Sequence, residues 1–411
     1  MLLVACGDQP DQGVTIDFWA MGREGEVVQK LTEDFERQHP GIRVRVQQIP
    51  WSAAHEKLLT AYAGDAMPDL FQLGNTWIPE FVALEAVADL DDRLGASAGL
   101  DGEDFFEGSI EANRIDGRLY GIPWYVDTRL LFYRKDLLEQ AGHARPPRSW
   151  DEWMAAMESV VRRAGPDHYA ILLPIDEWDP VVILALQLDA QLLKGDAQCG
   201  NFESPRFREA LGFYLSMFEN GVASAMGTAQ MANLYQEFAK GRFALYISGP
   251  WNLEEFARRL PEGLQDAWAT APMPAPDGRY PGISLAGGAS LAIYRGSKHK
   301  DEAWQLIEYL ADVPQQVRFY RLNGNLPARR SAWRAADLAD EPHTRAFWDQ
   351  LQRLRSTPKI PEWERIAASL ERQVERLVRK ETTVDRALAA LDGEVDQILE
   401  KRRWLLARAQ G

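Results

Sequence analysis

Aromatic rings, carboxylates and glycines fall together at several points along this chain. Trp19, Gly22 and Glu24 form one group, with Glu26 a neighbouring acid, and Asn75 with Trp77 forms a second. Trp124, Tyr125 and Asp127 form a third. Trp178, Gly249 with Trp251, Gly287 with Gly288, Arg329 and Trp363 complete the set. The chain has 14 tryptophans, enough to leave several rings free of a core. The chemistry these residue types suit is sugar recognition. A pyranose has a face of C–H groups that packs flat on an aromatic ring. Its hydroxyls need donors and acceptors, which carboxylates, Asn and Arg supply. Glycines let the backbone itself come close to a ligand.

Each residue also has a plainer role. Trp19, Trp77, Trp178 and Trp363 can be ordinary core residues. Asp127 can cap a turn before the next strand, and Arg329 can pair with a surface acid. Glu24 can serve as a first-turn carboxylate favoured by a helix dipole. Trp251 follows Gly249-Pro250 at a predicted strand end, which aims it into a crevice.

Catalytic signatures are missing. There is no Gly-x-Ser-x-Gly elbow, no His-Glu-x-x-His and no Walker loop. The six histidines are scattered, without metal-ligand spacing. Asp89, Asp91 and Asp92 lack the glycine and terminal glutamate of a calcium loop. Neither a metal nor a cofactor is expected. A glycosidase pair such as Glu24 and Asp127 stays open, because such a pair is defined by distance in space.

The elements that must position these groups follow from periodicity. Strands are predicted over 14–19, 42–46 and 70–73, with helices over 27–35 and 54–62 between them. This β-α-β-α-β order implies a parallel sheet covered by helices. Ligands of such sheets sit at the carboxyl ends of the strands. The loops 19–26 and 74–77 follow those ends. A second block begins near Leu130, with strands over 130–133, 243–247 and 291–294. Its helices are read over 136–141, 150–163, 205–220, 232–240 and 301–310. Pro272, Pro274 and Pro276 mark a linker, and Gly287-Gly288 reads as a turn. From Val384 to Leu399 one apolar stripe runs over four turns, read as core packing or lobe docking.

With 411 residues, two domains are the default. Apolar residues make up 46%, enough for a sizeable core. A net charge of −15 argues against nucleic acid, whose binders present clustered Lys and Arg. The longest uninterrupted apolar run, 181–186, is too short for a membrane span. Leu3-Val4-Ala5-Cys6 resembles a lipobox, in which the cysteine is lipidated and becomes the mature N-terminus. Only Met1 to Ala5 precede it, whereas a secretory signal carries a basic stretch and roughly 7–15 apolar residues. The other reading of Cys6 is a small hydrophobe near a frayed end. If Cys6 carries lipid, Cys199 has no disulfide partner.

Short segments in order resemble a known family. They are Asp17-Phe18-Trp19, Leu31-Thr32-Glu33-Asp34-Phe35, His39-Pro40-Gly41-Ile42, Pro68-Asp69-Leu70 and Gly121-Ile122-Pro123-Trp124. Leu131-Phe132-Tyr133-Arg134-Lys135-Asp136-Leu137, Gly241-Arg242-Phe243-Ala244, Gly287-Gly288, Ala303-Trp304 and Asn325-Leu326-Pro327 continue the series. Over about residues 14 to 400 the chain resembles the extracellular solute-binding proteins of bacterial ABC sugar importers, which include maltose- and trehalose/maltose-binding proteins. The resemblance implies an α/β, two-lobed periplasmic-binding-protein fold with three interlobe crossovers and a helical C-terminal segment. The N-terminal lobe is expected from 14–125 and 275–326, and the C-terminal lobe from 128–272 and 329–411, after a tail over 1–13. The crossovers are expected near 125–128, 272–276 and 325–329. By this resemblance Asp127 is the sugar-binding carboxylate after the first crossover, and Trp251 the stacking ring of the second lobe. Gly288 supplies a backbone contact, Glu24 the first-loop acid, and Arg329 the arginine after the third crossover. Trehalose/maltose binders often carry a tryptophan just after the second glycine, whereas this chain has Ala289.

The resemblance implies a monomeric receptor that captures an α-glucoside, such as trehalose or maltose, by hinge closure. Its partners are the ABC transporter permease subunits and a small sugar, with no nucleic acid. It is expected to lie in the periplasm or on the cell surface, touching the membrane only through a lipid anchor on Cys6. The rivals are a glycoside hydrolase using Glu24 and Asp127, or the same fold with a non-sugar solute such as an oligopeptide or a polyamine.

Overall fold

A computed structural model describes residues 13–165, 168–227, 230 and 233–409. Cys6 lies outside the described residues.

Two sheets organise the chain. The first has six strands in the order Leu326–Pro327, Ile122–Asp127, Gly287–Ile293, Leu70–Gly74, Val14–Met21, Ile42–Ile49. Val14–Met21 pairs in parallel with both Ile42–Ile49 and Leu70–Gly74, as the alternation of strands and helices predicts. Leu70–Gly74 is buried at all five positions, because helices cover both faces. On Val14–Met21, Ile16, Phe18 and Ala20 alternate into the core beside Leu31 and Phe35 of the helix Gln29–Gln38. The single helix expected over 27–35 is two, Gly22–Val27 and Gln29–Gln38, meeting at Val28.

Gly287–Ile293 runs antiparallel between Leu70–Gly74 and Ile122–Asp127, so the sheet is mixed. Gly287 and Gly288 therefore open a strand rather than form a free turn. The register slips between Ala289 and Ser290, a bulge that re-aims the two glycines.

The second sheet has four strands in the order Trp268–Ala271, Leu130–Arg134, Leu245–Ser248, Ile171–Leu172. Its core gathers Trp153, Met157, Tyr214 and the apolar helix Asp179–Gln187. Trp363, Ile366 and Leu370 join it from the helix Trp363–Val378. So do Leu388, Leu391 and Val395 from Val384–Ile398, so the predicted stripe is core packing. Cys199 is half-buried and has no disulfide partner among the described residues.

The chain leaves the first sheet after Asp127 and enters the second at Leu130. It returns between Ala271 and Gly287, and leaves the first sheet again after Pro327. Beyond that point the helix Arg345–Leu351 lies against both bodies. Its Trp348 ring is 5.4 Å from Phe106 on the first-sheet side. Its Phe347 ring is 6.2 Å from Phe132 on the second. Among the described residues, no helix is long and apolar enough to cross a membrane.

Candidate ligand-binding cleft

A cleft of about 650 Å³ opens at the carboxyl ends of Leu70–Gly74 and Ile122–Asp127, facing Trp178 and Trp251 across the gap. Of the sequence-predicted residues, Glu24, Asn75, Trp77, Tyr125, Asp127, Trp251, Gly287 and Gly288 line it, as does Trp178.

The first-sheet side carries the Tyr125 ring and two tryptophans. Trp77 immediately precedes the helix Ile78–Ala83, and its ring rests on Gly74, where an added Cβ would sit 3.2 Å from it. Trp51 begins the helix Trp51–Ala63 and stands 5.7 Å from Trp77 at 62°. Between them and the sheet, the Glu24 carboxylate accepts from Asn325 Nδ2 at 3.0 Å and Trp51 Nε1 at 3.4 Å. Asn75 is occupied with the backbone. Its Nδ2 donates to the Gly287 carbonyl at 3.0 Å, and its Oδ1 accepts from Ser290 Oγ at 2.9 Å. It thus braces the two glycines as well as lining the cleft.

The glycines are required by geometry. Gly288 has φ +107°, and a Cβ there would lie 2.4 Å from the Tyr125 carbonyl. A Cβ on Gly287 would lie 2.0 Å from Asp127 Oδ1, so only glycine leaves room for that carboxylate.

On the second-sheet side, Trp251 opens the helix Trp251–Arg259 and is 42% exposed. Its ring occupies the space over Gly249, where a Cβ would come within 2.0 Å of it. Trp178 precedes the helix Asp179–Gln187 and meets Trp363 edge-on at 5.5 Å. Across the gap, Arg23 Nη1 is 3.2 Å from Glu254 Oε2. Both partners of that pair are about half exposed, so it contributes little stability, but it shows how near the two sides approach.

Five predicted residues lie outside the lining. Trp124 is buried and stacks on Phe319 at 4.3 Å. Trp363 is wholly buried behind Trp178. Arg329 turns inward, with Nε 2.7 Å from Asp104 Oδ2 and Nη1 donating to the Gly99 and Ala311 carbonyls. Gly22, at φ +47°, lies under Trp51 and Glu24 rather than in the lining. Trp19 falls inside its strand and carries Lys57 Nζ at 5.0 Å over its ring. The cleft also contains residues that sequence reasoning did not single out, above all Trp51, Arg129, Asp179 and Asn325. Trp51 follows the carboxyl end of Ile42–Ile49, where the strand-end rule for ligands applies equally.

Charge is crowded at the cleft floor. Burial pushes the Asp127 carboxyl up from its ordinary value, Arg129 and the Gly288 N–H oppose this, and Asp179 and Glu24 add to it. Burial also lifts Glu177 to about 7, helped by Asp179 and opposed by Arg129. A carboxyl raised on folding leaves stability intact below its unfolded value and removes it as pH climbs through the folded value. For Glu177 that window runs from about 4.5 to about 7. Glu177→Gln is therefore expected to stabilise the protein at pH 8, by on the order of 1–3 kcal/mol, and to change little at pH 5. Thermal melts of both proteins at the two pH values check this; an equal shift at both would refute it.

Two α/β lobes with a polar, aromatic-walled cleft between them define a solute-binding protein. The chain belongs to the bacterial extracellular solute-binding protein family, whose model matches residues 21–317. It is similar to the sugar-binding protein MalE of the phytopathogen Xanthomonas citri, at 48% identity and a TM-score of 0.92, covering 96% of this chain and 99% of that one. It is 26% identical over 377 residues to the diacetylchitobiose binding protein DasA of Streptomyces coelicolor, covering 88% of this chain and 86% of DasA. The GacH receptor of Streptomyces glaucescens, solved without ligand and with acarbose, shares the fold at a TM-score of 0.79 and 24% identity, covering 94% of this chain and 99% of that one.

Proposed function

We propose that this protein is the sugar receptor of an ABC importer and captures an α-linked glucoside, maltose or trehalose being the first choices. The observation that carries this reading is the composition of the cleft. Trp51 and Trp251 are 38% and 42% exposed, on opposite sides of a cleft that also holds Glu24 and Asp127. Large rings left open in a concavity have their partner still to come, and carboxylates beside them suit sugar hydroxyls. MalE and DasA, both named for sugar ligands, support the same class. Ala289 is fully buried and paired with Gly74 and Tyr125, so the Trp51–Trp77 pair supplies the ring surface that this position lacks.

Sugar binds one lobe, the other closes on it, and the closed form docks on membrane permease subunits. The receptor acts as a monomer, held in the periplasm or at the cell surface by lipid on Cys6. It binds without turnover. Glu24 is held by Asn325 and Trp51, and Asp127 lies 3.4 Å from Arg129, commitments that suit fixed acceptors.

Thermal shift against a panel of mono-, di- and oligosaccharides tests the reading. Maltose or trehalose at a hundred times its Kd is expected to add about 2.7 kcal/mol of stability. The sugar should be recovered intact after denaturation. A panel in which no sugar raises the melting temperature would sink the ligand class, and released reducing sugar would point to a hydrolase.

A further inference from the structure

Arg129 sits where the chain passes from the first sheet to the second, between Asp127 and Leu130. Its carbonyl accepts from Ser284 Oγ at 2.7 Å, which ties this passage to the return passage between Ala271 and Gly287. Its side chain reaches three groups of the cleft. Nη1 is 3.4 Å from Asp127 Oδ1, at the end of the first sheet. Nη2 is 3.3 Å from Asp179 Oδ1, at the head of a second-lobe helix. The guanidinium carbon lies 4.5 Å from the centre of the Trp251 ring. A planar fork offers separate nitrogens to two carboxylates and a flat face to an aromatic ring, whereas an ammonium offers all its donors from one nitrogen.

We propose that Arg129 is a positioning residue for ligand capture, bridging the Asp127 carboxylate of the first lobe to Asp179 and the Trp251 ring of the second at the hinge. This rests on the receptor reading above. The bridge fixes the in-plane acceptor and the stacking ring relative to each other, so both meet one ligand in register. It also compensates a crowd of acids. Asp127, Asp179 and Glu177 face Arg129 together with the Tyr246 hydroxyl, Glu24 faces Asp127, and Asp176 and Glu371 stand behind Glu177. Without the guanidinium, the three nearest carboxylates would stand half-buried side by side, without the cation that now lies between them. Their protons would be retained to higher pH, and the folded state would lose stability as pH rises.

Two arms test the proposal on the full chain. In the ligand-free arm, melting temperatures of wild type, Arg129→Gln and Arg129→Lys are compared from pH 5 to pH 8. Arg129→Gln is expected to melt close to wild type at pH 5 and well below it at pH 8, and Arg129→Lys to restore much of the wild-type profile. In the ligand arm, titration with maltose and trehalose is expected to show a loss on the order of tenfold in Arg129→Gln, as when one partner of a half-buried charge pair is cut away. Arg129→Lys should recover only part of that loss, because it restores charge but not the fork. A wild-type pH profile in Arg129→Gln would overturn the bridging role, and so would an unchanged sugar affinity. If wild type binds no sugar, the receptor reading fails, while the ligand-free arm still decides whether Arg129 bridges these acids.

Discussion

Asp127→Ala is expected to weaken sugar binding by about 2–5 kcal/mol, roughly 30-fold or more, without lowering the melting temperature of the ligand-free protein. The two effects separate because Asp127 is costly before ligand arrives. Its carboxyl is half-buried and shares the floor with Asp179 and Glu24. Removing it relieves that crowding, and Arg129 keeps Asp179 as a partner at 3.3 Å. What disappears is an acceptor held in a slot that Gly287 keeps open. Calorimetric titration with the best sugar of the panel, beside a ligand-free melt, checks both halves. A parallel fall in stability and affinity would mean that Asp127 is structural and that its place in the cleft is incidental.

Trp363→Ala is expected to do the reverse. Trp363 is wholly buried in the second-lobe core, and truncating such a ring costs about 3–5 kcal/mol in transfer and cavity terms. Trp178 leans edge-on against it at 5.5 Å, so the cleft wall loses its backing. Sugar affinity should fall by less than tenfold at temperatures where the variant stays folded, because Trp363 does not line the cleft. Trp363→Phe should recover most of the stability. Denaturant unfolding and binding at low temperature give the two numbers. Full stability with abolished binding would place Trp363 against the ligand instead.

The contrast between these two residues shows what could be read before the fold was known. Period and strand order point to the parallel core around Val14–Met21, and with it the end of the sheet where the cleft opens. Family resemblance placed Asp127, Trp251 and Gly288, which do meet at the cleft. Residue type misplaces Trp124 and Trp363, and the family resemblance misplaces Arg329, which turns inward to Asp104. Five of the six residues in Ile122–Asp127 are buried, so alternation says nothing about which side of that strand faces a cleft. Arg329 finds Asp104, 225 positions away, and no local pattern announces that pairing. No local pattern marks Arg129, because its three partners are assembled only by the passage between sheets. Trp51 follows a strand end, but it is the register of its helix, not its identity, that aims the ring at Trp77.

The wedge helix Arg345–Leu351 has a consequence for how the molecule comes apart. Adjacent residues Phe347 and Trp348 are plugged into different bodies, so neither body has a complete apolar wall without the other. One buried cluster runs from Ile16 and Phe18 through Trp333 and Phe347 to Phe132 and Trp268. Two lobes joined only by crossover strands would melt as separate calorimetric units. Here the loss of either exposes hydrophobic surface on its neighbour, which couples them into a single cooperative transition. The same shared surface lies beside the third passage of the chain. Any bending of one body against the other therefore pivots about it, and partial unfolding is a poor route to separating them.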